Sequence, residues 1–302
     1  MRLWAYQRER FPLAGHAPLV AAFSGGVTCA SAALRGADGP GWGPVAVAVV
    51  VALGVFFQLR VADEWKDADR DAALQPDRPV PRGLVTLREL VAVAGVVALV
   101  QLAVTAWLSL ALVGVLVAVW AFAAAMTVEF GVGRWLRGRP VAVLVSHGFV
   151  VPFVDAFAVA ADVLGNGAAL PEGVEWLVGV SLFGGMVVEV GRKIKAPPDE
   201  VEGVETYSAL WGRRGALVRW AGILTASALC GVVVLGAAGA LGVAPLLMVG
   251  STLALGVALS SLGRDTPGAG RRVEVAAGLW TLALYLTLGP AVLAARASGL
   301  LA

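Results

Sequence analysis

Long apolar stretches fall at about 18–34, 44–59, 90–128, 141–164, 174–188, 215–262 and 275–294 along this chain. A helix that crosses a bilayer needs roughly 20 residues, with a range of about 17–25. The stretches 90–128 and 215–262 are therefore each long enough for two. Trp107 and Ser109 interrupt the first of them, and Gly239, Gly242 and Pro245 the second. The pattern predicts an all-α integral membrane protein of nine transmembrane helices, forming a single polytopic membrane domain over 1–302.

Composition agrees. Hydrophobic residues make up 59% of the chain and charged residues 15%, with a mean hydropathy of +0.82. A soluble domain averages about 25% charged residues, so most of this surface meets lipid. Charge placement tests the helix assignment separately. Of the 23 Lys and Arg, 21 fall before the first helix or in the loops after the second, fourth, sixth and eighth, and the other side keeps only Arg35 and Arg296. By the positive-inside rule the N-terminus is cytoplasmic and the C-terminus outside. The net charge of +2 thus reflects topology and does not suggest nucleic-acid binding. The opening Met1–Phe11 mixes arginines with aromatics and reads as an interfacial anchor, without a signal-peptide pattern. Cys29 and Cys230 lie far apart in apolar helices and imply no disulfide framework. The excess of Arg over Lys, with abundant Ala, Val and Gly, points to a bacterial genome, and so to the inner (cytoplasmic) membrane.

Polar chemistry is concentrated in two loops on the basic side, about 60–89 and 189–219. The first opens with Asp63, Asp67 and Asp71, each four positions apart, directly after an apolar run. If the helix continues through them, that spacing keeps successive carboxylates about 40° apart around the axis, on one face. Three stacked acids repel one another unless a cation sits among them. Mg²⁺ suits such a site because it takes a few carboxylates and leaves its other positions to water and phosphate oxygens. The alternative is a solvated acidic loop.

The same loop continues into Arg78-Pro79-Val80-Pro81-Arg82-Gly83. An acidic i, i+4, i+8 set after the second membrane helix, followed by Arg-Pro-x-Pro-x-Gly, resembles the UbiA superfamily of membrane prenyltransferases. The resemblance implies nine helices around a central cavity with cytoplasmic cap loops, and two acidic motifs whose Mg²⁺ ions grip an isoprenyl diphosphate. Asp63 stands where the family usually has Asn, and Asp67 and Asp71 match its aspartates. Arg78 is expected to turn back over the site. In the second motif Asp199, Gly203 and Thr206 match the family pattern. The distal acidic position falls on Lys195 without a gap and on Glu189 with a small insertion. The implied metal ligands are thus Asp63, Asp67, Asp71, Asp199 and Glu189. Arg192, Lys193 and Lys195 would bind diphosphate oxygens, as would Arg134 or Arg137, the family having a basic pair before its fifth helix. Positive-inside anchoring explains those two arginines equally well.

Within the membrane the fifth helix carries His147, Asp155 and Asp162. A charge at the bilayer centre costs at least about 2.5–3.5 kcal/mol on insertion scales, so Asp155, near mid-helix, joins Asp67 and Asp71 as a candidate catalytic residue facing the cavity. His147 reads as a hydrogen-bonded pocket residue or a base, and Asp162 as interfacial.

The chemistry implied is ionisation of an allylic diphosphate whose leaving group is neutralised by Mg²⁺ and basic side chains. The cation then meets a small aromatic or lipophilic acceptor, giving prenyl transfer, or a double bond of its own chain, as in UbiA-type terpene cyclases. A divalent-cation transporter is the rival class, but a transport site belongs near the bilayer midplane and these acids cluster at helix ends. A catalytically dead scaffold is the third reading.

Overall fold

The computed structural model describes residues 2–202 and 204–301; Gly203 of the second motif lies outside the described residues. Fourteen α-helices, joined by short 3₁₀ and π turns, make up the described fold, and no strand is present among the described residues. They are α1 Arg2–Arg10, α2 Leu13–Leu34, α3 Trp42–Lys66, α4 Ala68–Leu74, α5 Leu87–Leu108, α6 Leu112–Thr127 and α7 Gly133–Leu136. Next come α8 Pro140–Gly148, α9 Val150–Gly165, α10 Glu175–Arg192, α11 Tyr207–Ala237, α12 Ala244–Ser261, α13 Ala269–Leu286 and α14 Val292–Ala297.

The helix boundaries follow local chemistry. Thr86 and Glu89 form a capping box at the start of α5, each side chain bonding the other's backbone N–H. The break expected near Ser109 separates α5 from α6, and the one expected between Gly239 and Pro245 separates α11 from α12. Pro152 has no N–H to offer the Gly148 carbonyl, and the fifth expected span divides at Phe149 into α8 and α9.

Seven helical segments among the described residues are long and apolar enough to cross a membrane, rather than the nine the sequence pattern suggests. The other two expected spans are present as helices but fall short in different ways. Helix α6 has only 16 residues, and α10, with 18, carries Glu175, Glu189 and Arg192.

Successive long helices are neighbours around a ring, α2, α3, α5, α6, α9, α10, α11, α12 and α13, and α13 returns to α2. Glycine makes this closure possible. A Cβ on Gly289 would lie 2.2 Å from the Gly26 carbonyl oxygen, and one on Gly26 would lie 2.7 Å from that of Tyr285, so only backbones without side chains can meet there. Contacts of α2 with α9 and of α10 with α13 cross the ring. One hydrophobic core, including Phe23, Val51, Leu116, Phe157, Trp220 and Tyr285, joins these helices.

The two ends of the bundle differ in charge. At one end Asp162 is fully buried, which corrects the expectation that it is merely interfacial. It accepts from Ser31 Oγ at 2.7 Å, from Arg35 Nε and Nη2 at 2.9 and 2.7 Å, and from Asn166 Nδ2 at 3.2 Å. Arg296 caps the last turns of two helices there, donating to the carbonyls of Ala33 and Ala238. Among the described residues Arg35 and Arg296 are the basic residues of this end, and both hold helix ends.

Candidate functional site

All five basic segments gather at the opposite end. Arg10 pairs with Glu64 at 2.6 Å and Arg82 with Glu9 at 2.8 Å, which ties the N-terminal helix to the first loop. Burial, and next the Glu64 carboxylate, push the Tyr6 phenol well above its ordinary pKa, so Tyr6 stays protonated beneath that strap. Lys66 pairs with Glu129 of the segment before α7. Arg213 pairs with Asp265 at 2.7 Å, and the Asp199 carboxylate accepts from the Gly268 backbone N–H at 2.8 Å. The sidedness inferred from charge is therefore a property of the fold.

The first loop keeps the geometry its spacing predicts. Although α3 ends at Lys66 and α4 begins at Ala68, with Asp67 between them at φ −97° and ψ 9°, backbone hydrogen bonds link the three acids across the break. Asp67 N–H bonds the Asp63 carbonyl at 2.9 Å, Asp71 N–H that of Asp67 at 2.8 Å, and Gln75 N–H that of Asp71 at 2.8 Å. Bonds of i→i−4 type hold the three carboxylates in one row. Their surroundings differ. Asp63 is exposed and 3.8 Å from Arg60, one turn back on its own helix. Asp67 is half-buried, and Asp71 is buried and paired with Arg78. Arg78 reaches Asp71 because the Arg-Pro-x-Pro-x-Gly segment folds into successive turns. Its own N–H bonds Gln75, Arg82 N–H bonds Arg78, and Gly83 takes a φ of +75°, which glycine adopts without strain.

Asp67, Asp71, Arg70, Gln75 and Arg78 line a cavity of about 320 Å³, completed by Val201, Glu202 and Val204 of the second loop. The two loops thus meet, but not through the acids that the sequence singled out. Glu189 is held within α10 by Arg192, 2.7 Å away, and by Lys193 at 2.9 Å. Asp199 faces Gly268, as described above. Lys195 donates its backbone N–H to Ser208 Oγ at 2.8 Å. Thr206 caps α11, accepting from Ala209 N–H at 3.1 Å, and donates to Glu200 at 2.7 Å. Glu202 is the acid of this loop that reaches the cavity of the first. No sequence signal marked it, because it lies outside the motif spacing.

A second cavity of about 580 Å³ adjoins the first, with Val204 lining both. Lys193, Glu205, Thr206 and Tyr207 form one wall, and Gly138, Pro140 and Val143 the other. Lys193 Nζ lies 5.8 Å from the centre of the Tyr207 ring, within cation–π range. Arg134 and Arg137 are exposed beside this cavity and line neither space.

Glu129 is a further residue that spacing did not reveal. Besides its pairing with Lys66, it lies 3.5 Å from His147 Nε2, so it bridges the end of α3 to α8. Glu129 and Phe130 both have φ of 53°, a left-handed conformation uncommon for such side chains. His147 has Ser146 Oγ at 3.2 Å from its other ring nitrogen.

Asp155 lies apart from both loops. It is 2% exposed and accepts from Ser181 and, at 3.2 Å, from Tyr285. Ser181 precedes Glu189 by eight residues on α10, about 12 Å along the axis. Among the described residues no three His, Cys, Asp or Glu side chains converge closely enough to hold a metal ion. Asp67 and Asp71 do supply two hard oxygen donors in one cavity, and Mg²⁺ is commonly bound through one or two carboxylates with substrate phosphates filling further positions.

A family model described as the UbiA prenyltransferase family matches residues 24–282. A solved structure of a UbiA homolog from Aeropyrum pernix K1, without ligand, superposes with a TM-score of 0.66 at 17% identity, covering 93% of this chain and 98% of that one. A second, from work on digeranylgeranylglyceryl phosphate synthase in membranes, gives a TM-score of 0.61 at 14% identity, covering 95% and 98%. No curated protein matches the chain.

Proposed function

The chain belongs to the UbiA prenyltransferase family, and from that premise we propose a Mg²⁺-dependent membrane enzyme that ionises an isoprenyl diphosphate and transfers the prenyl group to a small lipophilic or aromatic acceptor. The observation that carries this reading is the cavity shared by the two loops. It sets three carboxylates, those of Asp67, Asp71 and Glu202, and two guanidinium-bearing residues, Arg70 and Arg78, together at the polar end of an apolar bundle. Acids alone would suit a cation; acids beside arginines suit a cation that comes with an anionic partner.

Mg²⁺ held by Asp67 and Asp71 would supply Lewis-acid neutralisation of the leaving diphosphate. Glu202 is the second loop's contribution to the same site. Arg78 orients Asp71, and Lys193, 2.9 Å from Glu189 at the edge of the adjoining cavity, offers its ammonium to diphosphate oxygens. Asp63, Asp199 and Glu189 contribute negative charge around this centre. The apolar helix walls would admit the isoprenoid tail and keep water from the allylic cation. We place the N-terminus and the two loops in the cytoplasm, where the diphosphate is supplied.

The decisive experiment incubates purified protein and Mg²⁺ with geranyl, farnesyl and geranylgeranyl diphosphates, with and without aromatic acceptors, and follows pyrophosphate and organic products by mass spectrometry. Acceptor-dependent pyrophosphate release supports transfer. Release without acceptor, with a cyclic hydrocarbon or alcohol as product, replaces it by cyclisation. No release under any condition removes the enzyme reading.

A further inference from the structure

The seam between α12 and α13 leaves a groove of about 650 Å³ that the loop-face chemistry does not use. Small residues are the reason. Gly250 and Ala254, one turn apart on α12, and Ala276 on α13 give it too little side chain to fill. A Cβ on Gly250 would already lie 3.4 Å from the Trp280 ring. Ala254, Ala276 and Trp280 are buried along its floor, whereas Leu253, Val275 and Leu279 are exposed, so the groove opens sideways to lipid. From Arg272 to Ala283 it follows α13 for about 16 Å.

One end of this groove is cationic. Arg271 and Arg272, in the first turn of α13, line it at the basic end of the bundle. Both are exposed, and neither is in an ion pair among the described residues. The acids near them are occupied or lie elsewhere. Asp265 pairs with Arg213 at 2.7 Å, Asp199 accepts from the Gly268 N–H at 2.8 Å, and Glu274 does not line the groove. A hydrocarbon chain alone would fill the space and leave both guanidinium groups unmatched. Free phosphate would match them and leave the apolar walls bare. An amphiphile with an anionic head does both, and basic pockets between membrane helices on the cytoplasmic side bind such heads. Isoprenyl diphosphates share that form, but the charge of a diphosphate calls for a metal ion, and no carboxylate lines this groove among the described residues. A phosphodiester needs none.

We propose that the groove between α12 and α13 binds an anionic phospholipid of the cytoplasmic leaflet, its phosphate against Arg271 and Arg272 and one acyl chain along Ala254, Val257 and Leu279. Positive-inside anchoring places arginines at this end, but it does not set two unpaired ones side by side at the head of a groove. The site is separate from the cavity of the acidic loops, with which it shares no lining residue.

The test uses the full chain in phosphatidylcholine nanodiscs doped with phosphatidylglycerol that carries a diazirine on one acyl chain, with the matching phosphatidylcholine probe as control. Peptide mapping after photolysis should find labelling within 250–260 and 275–283 about ten- to thirty-fold stronger with the anionic probe at equal mole fraction. Unlabelled phosphatidylglycerol should displace it. Arg271→Gln combined with Arg272→Gln changes only exposed side chains, and should bring the two probes to parity here while labelling of the other helices stays as it was. Equal labelling by the two probes in the parent protein, or a preference that survives the double substitution, would overturn the site. Displacement by farnesyl diphosphate at lower concentrations than phosphatidylglycerol would overturn the phospholipid as its occupant.

Discussion

The two acidic loops face each other across one end of the bundle, yet only one of them keeps the arrangement its spacing implies. In the first, Asp63, Asp67 and Asp71 ride on hydrogen bonds that continue from a membrane helix, so a separation of four residues has a fixed meaning in space. In the second, Asp199 closes a short 3₁₀ turn after two prolines, and a separation of four has none. Three of its acids take partners outside the first loop. Glu189 takes Arg192 and Lys193, Asp199 the Gly268 N–H, and Glu200 the Thr206 hydroxyl. Glu202, outside the motif, is left to face the first loop. A motif therefore transfers between relatives only as far as the secondary structure beneath it does.

The hardest test of this contrast is removal of the acids on the helical row. Asp67→Ala and Asp71→Ala should each lower pyrophosphate release by on the order of 10²–10³, as loss of a main electrostatic contributor does. Either variant running near the parent rate would dissolve the distinction between the loops. Next comes Glu202→Gln, which should weaken Mg²⁺ binding about ten-fold, the lower end of what supporting groups contribute. Mn²⁺ titration followed by electron paramagnetic resonance reads this without relying on turnover. A silent Glu202→Gln beside a dead Glu189→Gln would return the ligand role to the gapped alignment of the second motif.

Smaller effects sharpen the picture. Lys193→Ala removes a half-exposed ammonium and should raise KM for the isoprenyl diphosphate roughly three- to five-fold with little change in kcat; a fall in kcat at constant KM would place Lys193 in the transition state instead. Asp199→Asn should be the mildest, since an amide oxygen still accepts from Gly268, and steady-state kinetics across a Mg²⁺ series should nearly superpose on the parent. A strong loss there would make Asp199 a ligand despite its present partner.

Much of this molecule follows from residues adjacent in the chain. Apolar run lengths and breakers at Ser109 and between Gly239 and Pro245 set the helix boundaries, because a backbone in lipid has to satisfy its own hydrogen bonds. The distribution of Lys and Arg set which loops share an end. Four-residue spacing, kept by hydrogen bonds across the junction of α3 and α4, put Asp63, Asp67 and Asp71 in a row. Other features depend on segments far apart in sequence, and no local pattern carries them. Only the tertiary structure buries Asp162 against Arg35, 127 residues away, brings Glu129 to Lys66, 63 residues away, and closes the ring where Gly289 meets Gly26. It also selects Glu202 over Asp199 and Glu189 for the shared cavity. Local geometry is written in hydropathy and hydrogen-bond period, whereas the choice among several nearby charges is made by which surfaces the packed helices bring within reach.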